Sequence, residues 1–253
     1  MVGDGAYGTA LAHLLHPGER VDELCGRAPE RVIELHEAFI SAGARRIQTN
    51  SFLVWQMPPD RRRAAYEASL SCAREAARSS HVAVEVVATV GPGLGGSISS
   101  WRNELELVLA CEPDAVNVET LTDPATVLAV LEALRREVVR IPITISMSVN
   151  PQAPVASWGW ITQLEPFEGI SLALNCCTGA LPELRAPLES MVTTYGSVGL
   201  APSAGLPEAP LPPGAWATAV RELAEGLPID RVAGCCGATT AHIAALAARF
   251  PAP

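Results

Sequence analysis

The sequence predicts a (β/α)8 barrel, an α/β fold in which eight parallel strands alternate with helices around one core. Three observations lead there. Short runs rich in Val, Ile and Leu alternate with longer stretches whose apolar residues recur at three- and four-residue spacing. Most of the short runs are apolar on consecutive residues, the pattern of a strand covered on both faces. The chain has 253 residues, and about 250 is the usual size of one such barrel. An open doubly wound sheet shares the strand–helix order, but eight units in this length favour the closed ring. No linker, low-complexity tract or charge run divides the chain, so residues 1–253 are expected to form a single domain.

The first strand is very short and lies in "MVGDG". The others follow as "RRIQTN" around Ile47, "HVAVEVVATVG" from His81, "DAVNVET" from Asp114 and "IPITISMSV" from Ile141. The last three are "GISLALNCC" from Gly169, "YGSVGLAPSAG" from Tyr195 and "DRVAGCCG" from Asp230. Among the helices, "APERVIELHEAFISAG" carries Pro29 near its start and Gly43 at its end, the expected helix punctuation. "DRRRAAYEASLSCAREAARSS", "WRNELELVLACE", "DPATVLAVLEALRREV", "LPELRAPLESMVTTYG", "PPGAWATAVRELAEG" and "TTAHIAALAARF" repeat the same spacing. "APVASWGWITQLEPFEG" is read as a further helix, and the Pro-rich "APSAGLPEAPLPPGA" as a long loop after the seventh strand.

Composition excludes several classes of function. The net charge is −9, which argues against a nucleic-acid partner. Hydrophobic residues make up 49%, but Ala and Val are spread throughout and no apolar run is long enough to span a bilayer. The opening "MVGDGAYG" has no basic region followed by an apolar stretch, so a cytoplasmic location is the expectation. Lysine is absent and all 18 basic residues are Arg. Schiff-base and pyridoxal-phosphate chemistry need an amine nucleophile, and a Walker-type phosphate loop needs its Lys, so all three are excluded.

Seven cysteines remain to be explained. Cys25, Cys72 and Cys111 stand singly and read as small buried or half-buried residues. Cys235 and Cys236 are adjacent between glycines where the last strand gives way to a helix. A disulfide between neighbours is strained, because their Cα atoms sit only about 3.8 Å apart. Barrel chemistry lies at the C-terminal ends of the strands, and the sixth strand ends in a further thiol, Cys176. Three thiolates suit zinc, and a three-ligand set leaves a fourth position open, as catalytic zinc sites do. The competing reading is that these cysteines are small residues at tight turns. Cys177 points away from Cys176 in an extended segment and is read as a packing residue. His242 lies within the last helix and is read as a helix-face residue rather than a ligand.

In order along the chain, "DGAYGT", "QTNSF", "GPGLGG", "NVET", "LNC", "SAGLP" and "GCCGATTAHI" resemble the successive signatures of the homocysteine S-methyltransferase family. That family includes S-methylmethionine- and S-adenosylmethionine-dependent enzymes, betaine–homocysteine methyltransferase and the first module of cobalamin-dependent methionine synthase. The resemblance runs from Asp4 to Ile243. It implies a (β/α)8 barrel with zinc on Cys176, Cys235 and Cys236. It also implies that Asp4 and Glu119 help bind homocysteine, with the backbone of Gly5, Ala6 and Tyr7 forming the turn at its amino-acid end. Free N–H groups at a helix start suit a carboxylate, and a carboxylate at a barrel mouth suits an ammonium group. Asn175, Thr49 and Asn50 are further hydrogen-bonding candidates, with strand-end caps as their alternative role. Two positions depart from the family: Ser203 stands where asparagine is usual and Gln48 where glutamate is frequent. Both bear on donor preference more than on metal binding.

The thiolate is the nucleophilic form of a thiol, and zinc deprotonates a thiol that it coordinates. Homocysteine in the fourth position would attack an activated methyl group and become methionine. The chain shows no cobalamin- or folate-binding extension, which favours a small sulfonium donor, S-methylmethionine or S-adenosylmethionine. The alternative is a stand-alone homocysteine module that takes its methyl group from a separate corrinoid protein. Betaine comes third, since no long C-terminal arm is present. A reading from another class is a non-catalytic zinc-binding or thiol redox-sensing barrel.

Overall fold

A computed structural model describes residues 1–135, 141–150, 159–164, 169–177, 180–206 and 209–251. Seven strands form one sheet in which every neighbouring pair is parallel and sequence order is spatial order. They are β2 (Arg46–Gln48), β3 (Glu85–Val90), β4 (Ala115–Leu121), β5 (Ile143–Met147), β6 (Ile170–Asn175), β7 (Val198–Ala201) and β8 (Ile229–Val232). The expected short first strand is residues 2–3, here β1. Val2 bridges Val232 and Gly3 bridges Arg46, both in parallel. Gly3 N–H donates to Val232 O at 2.7 Å, and Arg45 N–H to Val2 O at 2.9 Å. Residues 2–3 thus join the two outer strands and close the ring.

Two short helices not predicted from the sequence come first, α1 (Tyr7–Leu11) and α2 (Leu24–Arg27). The predicted helices follow between the strands as α3 (Pro29–Ser41), α4 (Pro59–Ser79), α5 (Ile98–Leu109), α6 (Pro124–Arg135), α7 (Arg185–Tyr195), α8 (Pro213–Ala224) and α9 (Thr240–Ala247). Proline stands in the first turn of α3, α4 and α8, where its missing N–H is not needed. Their apolar faces cover the outside of the barrel, with Phe39, Tyr66, Trp101 and Trp216 fully buried. The helix expected over 153–169 lies in part outside the described residues; its described part, Gly159–Gln163, is a 3-10 helix. The Pro-rich loop after β7 contains a two-stranded antiparallel hairpin, Gly205–Leu206 with Ala209–Pro210. Among the described residues no helix is long and apolar enough to cross a membrane.

On β4 and β5 the strands turn valine and isoleucine outward, against the helices, and polar residues inward. On β4, Val116 and Val118 are fully buried while Asn117 and Glu119 line an interior cavity of ≈ 40 Å³. On β5, Ile143 and Ile145 pack outward and Thr144 and Ser146 line the same cavity. Two arginines share the lumen. Arg46 pairs with Glu85, and Arg231 Nη2 donates to Ser171 Oγ at 2.6 Å. A barrel interior filled with branched apolar side chains would leave no room for such groups, so this lumen is arranged around a polar axis that leads up to the C-terminal mouth.

Candidate active site

Cys176 follows β6 directly and adopts φ +49°, a left-handed conformation uncommon for any residue but glycine. Its N–H donates to Ala201 O at 3.2 Å and its carbonyl accepts from Ser148 Oγ at 3.0 Å. Cys235 and Cys236 lie on the turn after β8. Cys235 N–H donates to Pro202 O at 3.1 Å, and Cys236 O accepts from Ala204 N–H at 2.8 Å. Gly237 closes that turn with φ +76°, and a Cβ there would stand 2.8 Å from Gly205 O.

The three sulfurs all lie within 4.8 Å of one another, with Cys176 Sγ 3.5 Å from Cys236 Sγ. Tetrahedral zinc with Zn–S bonds of about 2.3 Å sets its sulfurs about 3.8 Å apart, so the cluster is of the right size and softness for that ion. Hydrogen bonds from Cys176 and Cys235 hold the Cys236 thiol well below the usual range, while hydrogen bonds to Cys176 and Cys236, with burial, push Cys235 up. One negative charge therefore settles easily on the cluster. Ser203 Oγ donates to Cys176 Sγ at 3.9 Å. Cys177 is buried, as fits a packing residue, and burial pushes its thiol up to about 12. Cys25, Cys72 and Cys111 are buried away from the surface.

Asp4 stands at the end of β1, locked to the cysteine turn: Gly234 N–H donates to Asp4 O at 2.8 Å, and Ala6 N–H to Ala238 O at 3.0 Å. A Cβ on Gly5 would come within 2.4 Å of Ala238 O, so only glycine allows this approach. The Ala6 N–H is thereby committed to the fold and is not among the free donors expected of that turn. Asp4 Oδ2 accepts from Tyr7 Oη and from Gln48 N–H, each at 2.6 Å. Burial raises its pKa to about 7 against these hydrogen bonds. Glu119 is also raised to about 7, by burial first, with Asp4 and Cys176 adding to the effect. Glu119 thus stands close enough to Asp4 on one side and to the thiol cluster on the other to feel the charge of each.

A network fixes Glu119. Ser146 Oγ donates to Asn117 Oδ1 at 2.7 Å, and Asn117 Nδ2 donates to Glu119 Oε1 at 2.7 Å and to Gln48 Oε1 at 2.6 Å. Gln48 in turn hydrogen-bonds Glu119 and opposes the effect of burial. Asn175 holds the neighbouring Thr120, accepting from its N–H at 3.2 Å and donating to its Oγ1 at 3.0 Å. Thr120 has φ +62°, so the segment after Glu119 is tied to the residue before Cys176.

Thr49 and Asn50 make hydrogen bonds within the fold. Thr49 Oγ1 accepts from Thr89 N–H at 3.0 Å and lies 2.6 Å from Ser51 Oγ. Asn50 Nδ2 donates to Val21 O at 2.7 Å. His242 is buried in the last helix with both ring nitrogens engaged: Nδ1 by Thr239, Nε2 by Leu211 O at 2.7 Å. Sequence reasoning missed Asn117, Ser146 and His36. The signal for the first was a lone amide in the otherwise apolar "DAVNV".

A parallel α/β barrel with three thiols gathered at the C-terminal ends of its strands, in a cluster that could hold a metal ion, and two carboxyls below them defines the class of barrel to which this chain belongs. The chain belongs to the homocysteine S-methyltransferase family, whose profile matches residues 1–250. It is 30% identical over 290 aligned positions to a methionine synthase of Mycobacterium tuberculosis and 29% identical to one of Mycobacterium leprae. In both cases 98% of this chain matches 24% of the relative, so the chain spans about a quarter of their length. The metallated form of the homocysteine methyltransferase MmuM from Escherichia coli has the same fold, with a TM-score of 0.79 at 20% identity, over 98% of this chain and 96% of that one.

Proposed function

We propose that the chain transfers a methyl group from a small sulfonium, S-methylmethionine or S-adenosylmethionine, to the sulfur of homocysteine, giving methionine, with zinc held by Cys176, Cys235 and Cys236. The observation that carries this reading is the sulfur cluster, with Glu119 near enough to feel its charge and Asp4 next in line behind Glu119. Family membership supports the acceptor, and the solved relative is described as metallated. Zinc held there would supply deprotonation of the substrate thiol at neutral pH, where a free thiol is mostly protonated. Asp4 and Glu119 would receive the ammonium group and orient the amino acid with its sulfur toward the cysteines. Asn117, Gln48 and Asn175 hold those contacts in place. In this reading residues 1–253 act as one homocysteine-binding barrel in the cytoplasm, a reducing compartment that keeps such thiols free.

A sulfonium leaves as a neutral thioether and needs no acid to assist its departure, which suits a mouth whose titratable groups are carboxyls and thiols. A second reading draws on the relatives. Both are named methionine synthases and this chain matches only a quarter of each. The methyl group would then arrive on a corrinoid carried by another protein or module. The deciding experiment offers homocysteine and one donor at a time to the zinc-loaded protein and measures methionine. Turnover with either sulfonium and no other protein is the expected result. Turnover only with a methylated corrinoid protein would establish the second reading. Zinc bound with no turnover from any donor would leave a non-catalytic thiol–zinc barrel.

A further inference from the structure

Behind Asp4 lies a histidine that neither the cysteine cluster nor the Glu119 network uses. His36, on α3, is fully buried, and its Nδ1 lies 2.8 Å from Tyr7 Oη. Tyr7 Oη lies 2.6 Å from Asp4 Oδ2. The rings of Tyr7 and His36 pack at 4.8 Å between centroids, and Phe39 closes the other side of Tyr7 at 5.5 Å. The three groups therefore sit in one dry file that leads from the helical layer to the carboxyl at the barrel mouth.

We propose that His36 and Tyr7 are positioning residues that hold one oxygen of Asp4 and keep its carboxylate aimed at the amino group of the substrate. This rests on the reading that Asp4 meets the ammonium group of homocysteine. The hydrogen count supports the direction of the file. A phenol has one proton, so Tyr7 cannot donate to Asp4 and to His36 at once. If it donates to Asp4, His36 must carry its proton on Nδ1 and donate to Tyr7 Oη. Nε2 is then a bare lone pair. Among the described residues His36 Nε2 is buried with no hydrogen-bond partner, so nothing there calls for a proton. The opposite direction would leave the Asp4 carboxylate, which only accepts, facing a phenol oxygen with no proton to give it. Burial keeps His36 neutral over the physiological range, so the file presents one tautomer. Tyr7 and Gln48 N–H both address Oδ2, which leaves Oδ1 outside these two contacts for the substrate.

The test uses the full-length zinc-loaded protein and two variants, Tyr7→Phe and Asp4→Asn, with homocysteine as the varied substrate. Tyr7→Phe should raise KM for homocysteine about tenfold, as for loss of a hydrogen bond to a charged group, while kcat stays within about twofold. Asp4→Asn should raise KM at least as far. In the unmodified protein, ¹⁵N-resolved NMR should find His36 neutral with its proton on Nδ1. A proton on Nε2, or an unchanged KM in Tyr7→Phe where Asp4→Asn raises it, would overturn the relay. An unchanged KM in Asp4→Asn would instead remove Asp4 from the substrate and the proposal with it. The NMR result is independent of turnover and of whether either variant folds.

Discussion

At the scale of the residue, chemistry depends on contacts that bring distant positions together. Asp4 and Glu119 are separated by 115 positions along the chain, yet Asp4 raises the pKa of Glu119. With both carboxyls near 7 in the free protein, the sign of the pH effect follows. Below about pH 7 they take up protons and no longer attract an ammonium group. kcat/KM for homocysteine, which reports the free enzyme, should therefore fall as pH drops from about 7 toward 5. A flat profile over that interval would count against both residues as substrate contacts. Glu119→Gln should raise KM for homocysteine by the equivalent of about 1.5–3 kcal/mol, with zinc content unchanged, because a charge-assisted hydrogen bond is lost and no metal ligand is touched. An unaltered KM would reduce Glu119 to a loop acid. Cys235 and Cys236 were legible because they stand at a strand end between glycines, Cys176 as the matching thiol at another strand end, and Glu119 through the family resemblance. Tyr7 was read only for its backbone. Its hydroxyl contact with His36 crosses 29 positions, and no local spacing records it.

At the scale of the element, periodicity and proline placement located most helices, since amphipathic spacing and first-turn proline act within a few residues. The short first strand was legible only as a fragment, because two residues cannot show a period; the bridges to Val232 and Arg46 define it. Contacts between helices were not legible. The clearest is the buried network joining α4 and α5. Glu104, 1% exposed, accepts from Arg62 Nη1 and from Tyr66 Oη, each at 2.7 Å. Removing its carboxylate leaves a guanidinium largely buried and a phenol without its acceptor. Glu104→Ala should therefore cost about 3 kcal/mol or more in chemical denaturation. A loss below about 1 kcal/mol would mean that water or a rearranged Arg62 satisfies the site.

At the scale of the molecule, the barrel makes a site out of pieces that the sequence holds apart. Closing the ring through residues 2–3 sets the Asp4 turn against the Cys235 turn. Parallel order then brings β6 to within one strand of β8, so Cys176 meets Cys235 and Cys236. The closed fold followed from unit count and length, and the thiol cluster from which strands ended in cysteine. The polar lumen was not foreseen, because runs read as evenly apolar conceal which alternate residues face inward. The central claim is that the three sulfurs form a metal centre, and metal analysis of the protein purified under reducing conditions tests it most directly. Close to one zinc per chain is expected, lost in Cys235→Ser and in Cys236→Ser and retained when Cys25, Cys72 or Cys111 is changed to alanine. No zinc after supplementation, or zinc that survives both serine substitutions, would contradict the account.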